Sequence, residues 1–480
     1  MNILFIDFDI IPHFAPNMGI AYIISAVEKR HKVKLLTPCF YGWRRKSIKY
    51  WCNFIKDQIK KDKPDIIAFS LTSYSVELYL QTSRLIKAIY PDIRFIIGGF
   101  YPTLFPDKAI ELPLVDAICI GEGEASMVEY LEQLQNSQTG CVDGIWYKDK
   151  GNKIIKNRLR QFNDNLDGLP FLNWQHWAPD IQLKYKWAGM LPFMLSRGCI
   201  YNCTFCCSPA IKSTFEGNYY RLRSPENVIE EIKVNKDRYS SKGFRSIFFL
   251  DPLFGFNWEQ LDRFCDLYIK EGFHKSLPWF CSGRADIINE KWAKRVSQAG
   301  CRCVSIGIES GDDFIRNTVY KKNLDRRQIE AAVSHLKGND ILVRCTFIAG
   351  CYQDNKETIQ QSMDLYKKLR PSAMAMLGYE PIPGSESWRD SGIAETTISC
   401  HKCFKPILKT RELGIKDLNK TIKKIKLQVN IDIIKDGLRQ KGVVFIWDTL
   451  RYLFTPLKNN LWLATIFRYH SKAYSSYEHR

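Results

Sequence analysis

Three cysteines, Cys199, Cys203 and Cys206, stand in the run Ser-Arg-Gly-Cys-Ile-Tyr-Asn-Cys-Thr-Phe-Cys that begins at Ser196. Three thiolates on an iron–sulfur cluster leave one iron without a protein ligand, and an open coordination position is where chemistry takes place. Ferredoxin-type electron carriers close all four corners. With 16 cysteines in 480 residues, chance would produce these offsets about 0.02 times per chain. A zinc site would want a fourth Cys or His at short spacing, and the adjacent Cys207 is awkwardly placed for it. A disulfide set also fits poorly, because the chain opens Met-Asn-Ile-Leu-Phe-Ile-Asp with no basic leader, apolar core or cleavage site. Cys207 reads as a bystander.

The elements that must position this loop alternate strand and helix. In residues 1–135, apolar strands at 2–7, 33–36, 66–70, 95–97 and 117–120 are separated by helical patterns at 18–29, 51–62, 76–90 and 124–135. That alternation predicts a parallel sheet covered on both faces. Ligands on such sheets sit beyond the carboxyl ends of the strands, here 7–19, 70–75, 98–103 and 121–124. Residues 191–395 repeat the pattern, with strands ending near Ser196, Asp251, Ser282, Glu309, Gly350 and Pro381, and helical sequence at 227–236, 258–271 and 328–337. Six units without a return predict an open, partial βα barrel whose chemistry lies at the carboxyl ends of its strands. The cysteine triplet falls in the loop after the first of them. The expected division is a domain over 1–138, a linker over 139–190, a barrel over 191–395 and a basic, mostly helical segment over 396–480. Within the linker, 144–155 reads as a small hairpin, and Trp174, Trp177 and Trp187 as packing residues.

The Cys-x3-Cys-x2-Cys spacing, with aromatic Phe205 before the third Cys, resembles the radical S-adenosylmethionine (SAM) superfamily. Agreement continues through 220–228, the strand 246–251, Gly300-Cys301 before Val304 to Gly311, the run Phe347-Ile348-Ala349-Gly350, and Pro381-Ile382-Pro383-Gly384. Upstream, Ser70-Leu71-Thr72, Ile96-Ile97-Gly98-Gly99, Asp116 and Gly121-Glu122-Gly123-Glu124 resemble the cobalamin-binding branch. The resemblance covers residues 1–395. It implies an α/β chain: a doubly wound, Rossmann-like and flavodoxin-like cobalamin-binding domain, then a partial (βα)6 TIM-like barrel and an α-rich carboxyl-terminal segment. The implied cofactors are a 4Fe–4S cluster on Cys199, Cys203 and Cys206, SAM, and cobalamin.

The implied activity is reductive cleavage of SAM to a 5′-deoxyadenosyl radical that serves to methylate an unactivated carbon of a small-molecule or lipid substrate. Phe205 would lie against the adenine, Arg284 would pair with the SAM carboxylate, and Glu309 would accept from the ribose hydroxyls or the amino group. Asp251 would take a neighbouring role. Ser70, Thr72, Gly98, Gly99, Gly121 and Glu122 would hold cobalamin. That branch often carries Asp-x-His-x-x-Gly after the first strand. Here Asp9 and His13 are four apart and Gly19 lies six further on, which implies a cobalamin with no protein histidine on cobalt. Two alternatives stand beside methylation: ring formation or rearrangement by the same machinery, and a non-catalytic iron–sulfur or corrinoid redox protein. The three-Cys set argues against the second. Methylthiolation needs a second cluster, and no second compact Cys triplet is present.

Apolar residues make up 45% and charged residues 25% of the chain, which excludes a disordered polymer. The net charge of +19 is uneven: residues 396–480 hold 17 Lys or Arg against 6 Asp or Glu. Such a surplus attracts an anionic partner. From Ile415, apolar positions 415, 418, 422, 425 and 429 recur at helical spacing, with lysines at 416, 420, 423, 424 and 426 elsewhere on the wheel. Aromatic apolar runs follow at 443–447 and 461–469. This segment either closes the open side of the barrel or offers 415–470 as a peripheral membrane surface. An acidic, low-potential flavodoxin or ferredoxin suits the same charge. No nucleic-acid-binding signature accompanies it, so nucleic acid is not expected. Cys281, Cys301, Cys303, Cys345 and Cys351 read as small buried hydrophobes, and Cys400-His401-Lys402-Cys403 as a lone pair without a metal. Sixteen cysteines without a leader point to a reducing, cytoplasmic setting.

Overall fold

The computed structural model describes residues 1–8, 16–38, 47–138, 140–178, 189–393 and 406–441. The expectations for Asp9, His13, Trp187, Cys400, Cys403, 443–447 and 461–469 lie outside the described residues. The chain folds as two compact units. One comprises Met1–Pro179, Phe205–Arg223 and Pro381–Cys403; the other Asp180–Thr204, Ser224–Glu380 and Phe404–Arg480.

In the first unit, β1 (Asn2–Asp7), β2 (Lys32–Leu36), β3 (Ile66–Ser70), β4 (Arg94–Gly98) and β5 (Ala117–Cys119) pair in parallel. Their cores are near-continuous apolar runs, as a sheet buried on both faces requires. Helices Met18–Val27, Ile48–Asp62 and Val76–Lys87 make the crossovers, and Gly123–Gln135 follows β5. Their starts are set locally: Asn17 accepts from the Gly19 and Ile20 amides at 3.1 and 3.4 Å, and Ser47 from the Tyr50 amide at 3.2 Å. Ile67, Phe69, Phe95 and Ile97 join Leu4, Ile6 and Ile118 in one core. The parallel strands run in the order β2-β1-β3-β4-β5, the flavodoxin-like order, whose switch point lies between β1 and β3.

The expected linker is partly sheet. β6 (Ile145–Lys148) and β7 (Ile154–Lys156) form the hairpin, and β6 adds antiparallel to β5 with Ile118 opposite Trp146. Without it β5 would present an open edge, so the hairpin belongs to the first unit. Trp174 and Trp177 are buried and meet edge to face at 5.5 Å.

The chain then makes β8 (Met190–Phe193) and two short strands, β9 (Ser196–Arg197) and β10 (Arg221–Leu222), the last in the first unit. The second unit continues with β11 (Ser246–Phe249), β12 (Trp279–Gly283), β13 (Cys301–Glu309), β14 (Leu342–Ala349) and β15 (Ala373–Gly378). With β8 they form one all-parallel sheet in chain order, β8-β11-β12-β13-β14-β15. Helices Pro225–Tyr239, Trp258–Lys270, Glu290–Gln298, Arg326–Gly338 and Lys356–Leu369 cross between strands. This is the open (βα)6 barrel, with all carboxyl ends at one mouth.

Helix Ile415–Lys441 packs on β15. It buries Leu418, Ile422, Ile425 and Val429, the expected stripe, while Ile415 stays exposed. Each such side chain contributes about 1.5–3 kcal/mol of burial. The fit is close: a Cβ on Gly350 would lie 2.5 Å from Leu418 Cδ2. This helix covers the barrel edge, and Lys416, Lys420, Lys423 and Lys424 face solvent. Among the described residues no helix is long and apolar enough to cross a membrane.

Candidate functional sites

The cysteine loop leaves β9 through Gly198, whose φ of 85° lies where a side chain is disfavoured. Cys199, Cys203 and Cys206 are half-buried thiols without disulfides, and Phe205 is half-buried beside them in sequence. The Ser208 amide donates to Cys206 Sγ at 3.4 Å. The hydrogen bond to the Cys206 side chain, and then burial, push the Cys207 thiol well above its ordinary range. Among the described residues no three Cys, His, Asp or Glu side chains already stand at metal-binding distance. The donor chemistry still fits an iron–sulfur cluster: three thiols on one loop, one of them already taking an amide N–H.

In the second unit the candidates for SAM sit at strand ends. Arg284 follows β12. Its guanidinium lies 3.6 Å from the centre of the Tyr201 ring, pairs with Asp286 at 3.0 Å, and donates to the carbonyls of Lys322 and Asn323. The Tyr201 hydroxyl donates to Asp286 at 3.0 Å, and burial, then the Asp286 charge, raise its pKa. Glu309 ends β13 with a φ of 69° and meets Lys322 Nζ at 2.9 Å. Its carboxylate folds back over Gly307, where a Cβ would lie 2.2 Å from Oε1. Lys322 thus brings Arg284 and Glu309 to one place. Asp251, after β11, accepts from the Leu195 amide at 3.0 Å and the Ser196 hydroxyl at 2.6 Å. Burial raises its pKa to about 6, against those hydrogen bonds. It fastens the end of β8 to the end of β11. The exposed Leu250, Phe256 and Tyr352 lie on loops after these strands, and the exposed Phe314 in the helical turn after β13.

In the first unit the glycine cradle forms at the carboxyl ends of β3 and β4. Leu71 N–H donates to Gly98 O at 2.8 Å and Tyr101 N–H to Leu71 O at 2.9 Å. Ser70 to Thr72 and Gly98–Gly99 are therefore drawn together. Gly99 has φ 97°, and a Cβ there would sit 2.7 Å from Leu71 O. Thr103 Oγ1 donates to Gly99 O at 2.8 Å and accepts from Gly121 N–H at 3.0 Å, tying both glycine turns. Thr72 Oγ1 is buried without a hydrogen-bond partner. An orphaned hydroxyl beside a glycine-only approach fits a large polar-edged ligand such as cobalamin.

Glu122 is placed differently. Its carboxylate takes both Nη atoms of Arg221 at 2.8 Å and the Asn163 amide at 3.0 Å, which ties down the turn that carries it. Thr103, Arg221, Lys322, Tyr201 and Asp286 escaped sequence reasoning. A buried lysine in Lys321-Lys322 looks like any solvated pair, and Thr103 carries no motif. Tyr201 had a signal in its place between two of the cysteines, and Arg221 in lying within the 220–228 stretch, but neither spacing names a partner.

The radical SAM superfamily model matches residues 193–366, and that of the B12 binding domain matches residues 10–131. The chain belongs to the radical SAM superfamily. This radical SAM enzyme carries a B12 binding domain, and its cofactors are accordingly a 4Fe–4S cluster and SAM with the one domain and cobalamin with the other. It is 28% identical over 442 residues to an uncharacterized methyltransferase of Pyrococcus horikoshii, across 89% of this chain and 91% of that protein. It is 25% identical over 346 residues to the anaerobic magnesium-protoporphyrin IX monomethyl ester cyclase of Rubrivivax gelatinosus, across 70% of this chain and 60% of the cyclase. Among solved structures, the cobalamin-dependent SAM radical enzyme OxsB, with aqua-cobalamin and SAM bound, shares the fold. The TM-score is 0.68 at 17% identity, across 98% of this chain and 75% of that one.

Proposed function

We propose that this radical SAM enzyme is a cobalamin-dependent methyltransferase acting on an unactivated carbon of a small-molecule or lipid substrate. The reading rests on one observation: the same chain carries a three-cysteine loop that follows the first strand of a parallel barrel and a glycine cradle at the carboxyl ends of β3 and β4 in a flavodoxin-like sheet. When bound, the cluster supplies the electron that splits SAM, and cobalamin supplies a carrier for the methyl group.

The chain's own residues then have distinct tasks. Cys199, Cys203 and Cys206 hold the cluster. Arg284, oriented by Tyr201 and Asp286, receives the SAM carboxylate, and Glu309 accepts from its amino group or ribose hydroxyls. Phe205 lies against the adenine. Asp251 keeps the mouth in register by holding Leu195 and Ser196. Ser70, Thr72, Gly98, Gly99, Gly121 and Glu122 receive cobalamin, the Glu122 turn being braced by Arg221. The exposed apolar side chains at the strand ends favour a substrate with apolar surface. The lysines of 416–426 suit an acidic flavodoxin or ferredoxin as reductant, and 415–470 remains the candidate surface for peripheral membrane contact.

The likeness to a cyclase favours a second reading, ring formation without methyl transfer. Anaerobic reconstitution with iron, sulfide and cobalamin, followed by EPR and a SAM cleavage assay, separates the two. Methyl transfer yields S-adenosylhomocysteine and a methylated product beside 5′-deoxyadenosine; ring closure yields only the last. Cys203→Ala should abolish deoxyadenosine release, and undiminished release would sink both readings.

A further inference from the structure

Thr204 lies between the second and third cluster cysteines and is buried. Its amide donates to Tyr320 O at 3.2 Å and its hydroxyl to Val319 O at 2.8 Å. Those two carbonyls close a π-helical turn, Ile315–Val319, in which Tyr320 N–H reaches back to Ile315 O at 2.9 Å. Carbonyls at a helix end have no partner within the helix, and widened π turns often mark functional sites. Here a single side chain and its own amide satisfy both.

The turn itself is held rigidly. Arg316, fully buried, donates to Leu324 O at 2.9 Å and Ser310 O at 3.0 Å and pairs with Asp313. Asn317 exchanges hydrogen bonds with Leu324 at 2.9 and 3.0 Å. The Tyr320 ring stacks on Tyr379 at 5.8 Å. Two residues on, Lys322 meets Glu309. The loop that supplies the thiols and the carboxylate offered to SAM are therefore referred to one braced turn.

From this geometry we infer that Thr204 is a positioning residue: it clamps the cysteine loop to the 315–320 turn and so holds the thiols ready for the cluster. The inference rests on the cluster assignment above, and its test is separable from it. In metal-free protein, hydrogen exchange should show the Thr204 amide protected while those of Tyr201 and Asn202 exchange freely. Thr204→Val keeps the shape and removes the hydroxyl donor, leaving Val319 O short of one partner. After anaerobic loading, Thr204→Val should lose iron and sulfide to a chelator about tenfold faster than wild type, with a broadened EPR signal of the reduced cluster. Thr204→Ser should restore both.

Wild-type chelator resistance in Thr204→Val would overturn the inference. So would a Thr204→Ser variant as leaky as the valine, which would assign the effect to the methyl group. If the valine variant fails to fold, the serine variant and the wild-type exchange pattern decide, and an unprotected Thr204 amide counts against the clamp. A wild-type protein that takes up no cluster would instead sink the cofactor reading.

Discussion

Replacing Arg221 tests how the first unit holds the turns proposed to receive cobalamin. Arg221 is buried, grips Glu122 through two hydrogen bonds of 2.8 Å, reaches Asn163 O at 2.9 Å and lies 4.8 Å over the Phe162 ring. Arg221→Leu leaves the Glu122 carboxylate largely buried without its cation. Breaking one partner of a buried pair costs about 3–5 kcal/mol. Glu122 keeps the Asn163 amide and 19% of its side-chain surface in water, so the lower end, about 3 kcal/mol, is expected. The readout is local: Gly121 N–H is held by Thr103 Oγ1 at 3.0 Å, so its hydrogen exchange reports opening of the turn. At about 1.4 kcal/mol per factor of ten, exchange across 119–124 should quicken roughly 100-fold. Arg221→Leu combined with Glu122→Leu removes the orphaned charge and should recover about half of the loss. Aqua-cobalamin, followed by visible absorbance, should bind more weakly to the single variant than to the double. Unchanged exchange in Arg221→Leu, or a double variant worse than the two singles added, would refute the reasoning.

Gly99→Ala should cost about 1–3 kcal/mol in urea unfolding and weaken cobalamin binding, because φ is 97° and the new Cβ would meet Leu71 O. Gly98→Ala, whose Cβ would find its nearest neighbour at 3.7 Å, is the matched control for unfolding and should cost little in urea; equal unfolding losses would remove the strain argument. Asp251, with its pKa raised from 3.8 to about 6 by burial, binds its proton more tightly folded than unfolded. Its contribution to stability is therefore greatest below about pH 4 and falls by about 3 kcal/mol as pH rises through 6. Asp251→Asn should flatten that part of the urea stability profile, and an unchanged profile would count against the burial. Reversing Lys420, Lys423 and Lys424 to Glu should slow reduction by an acidic flavodoxin about tenfold at low salt and hardly at all at high salt. Equal rates at low salt would place the reductant elsewhere.

Residues 2–7, 66–70 and 95–97 and the six later strands were legible because strands buried on both faces must be apolar along their length, and helices announce themselves by period. The hairpin at 145–156 was legible as a hairpin, yet its membership of the first sheet was not, since pairing to β5 depends on which edge stands open. The stripe at 418, 422, 425 and 429 told that a helix buries one face; that it covers β15, with Leu418 fitted against Gly350 just past β14, was decided by tertiary packing.

Amino-acid order by itself determined the three-thiol loop, the glycine pairs and the two-domain succession, because metal-ligand spacing, turn chemistry and hydrophobic period are local properties of a chain. Tertiary structure alone decided what the charged candidates touch. Glu122 went to Arg221, Glu309 to Lys322, Arg284 to Tyr201 and Asp286, and Asp251 to Ser196 at the start of β9. A buried charge must find a partner wherever the fold brings one, from two residues away for Arg284 and Asp286 to 99 for Arg221 and Glu122, and no spacing rule records that meeting.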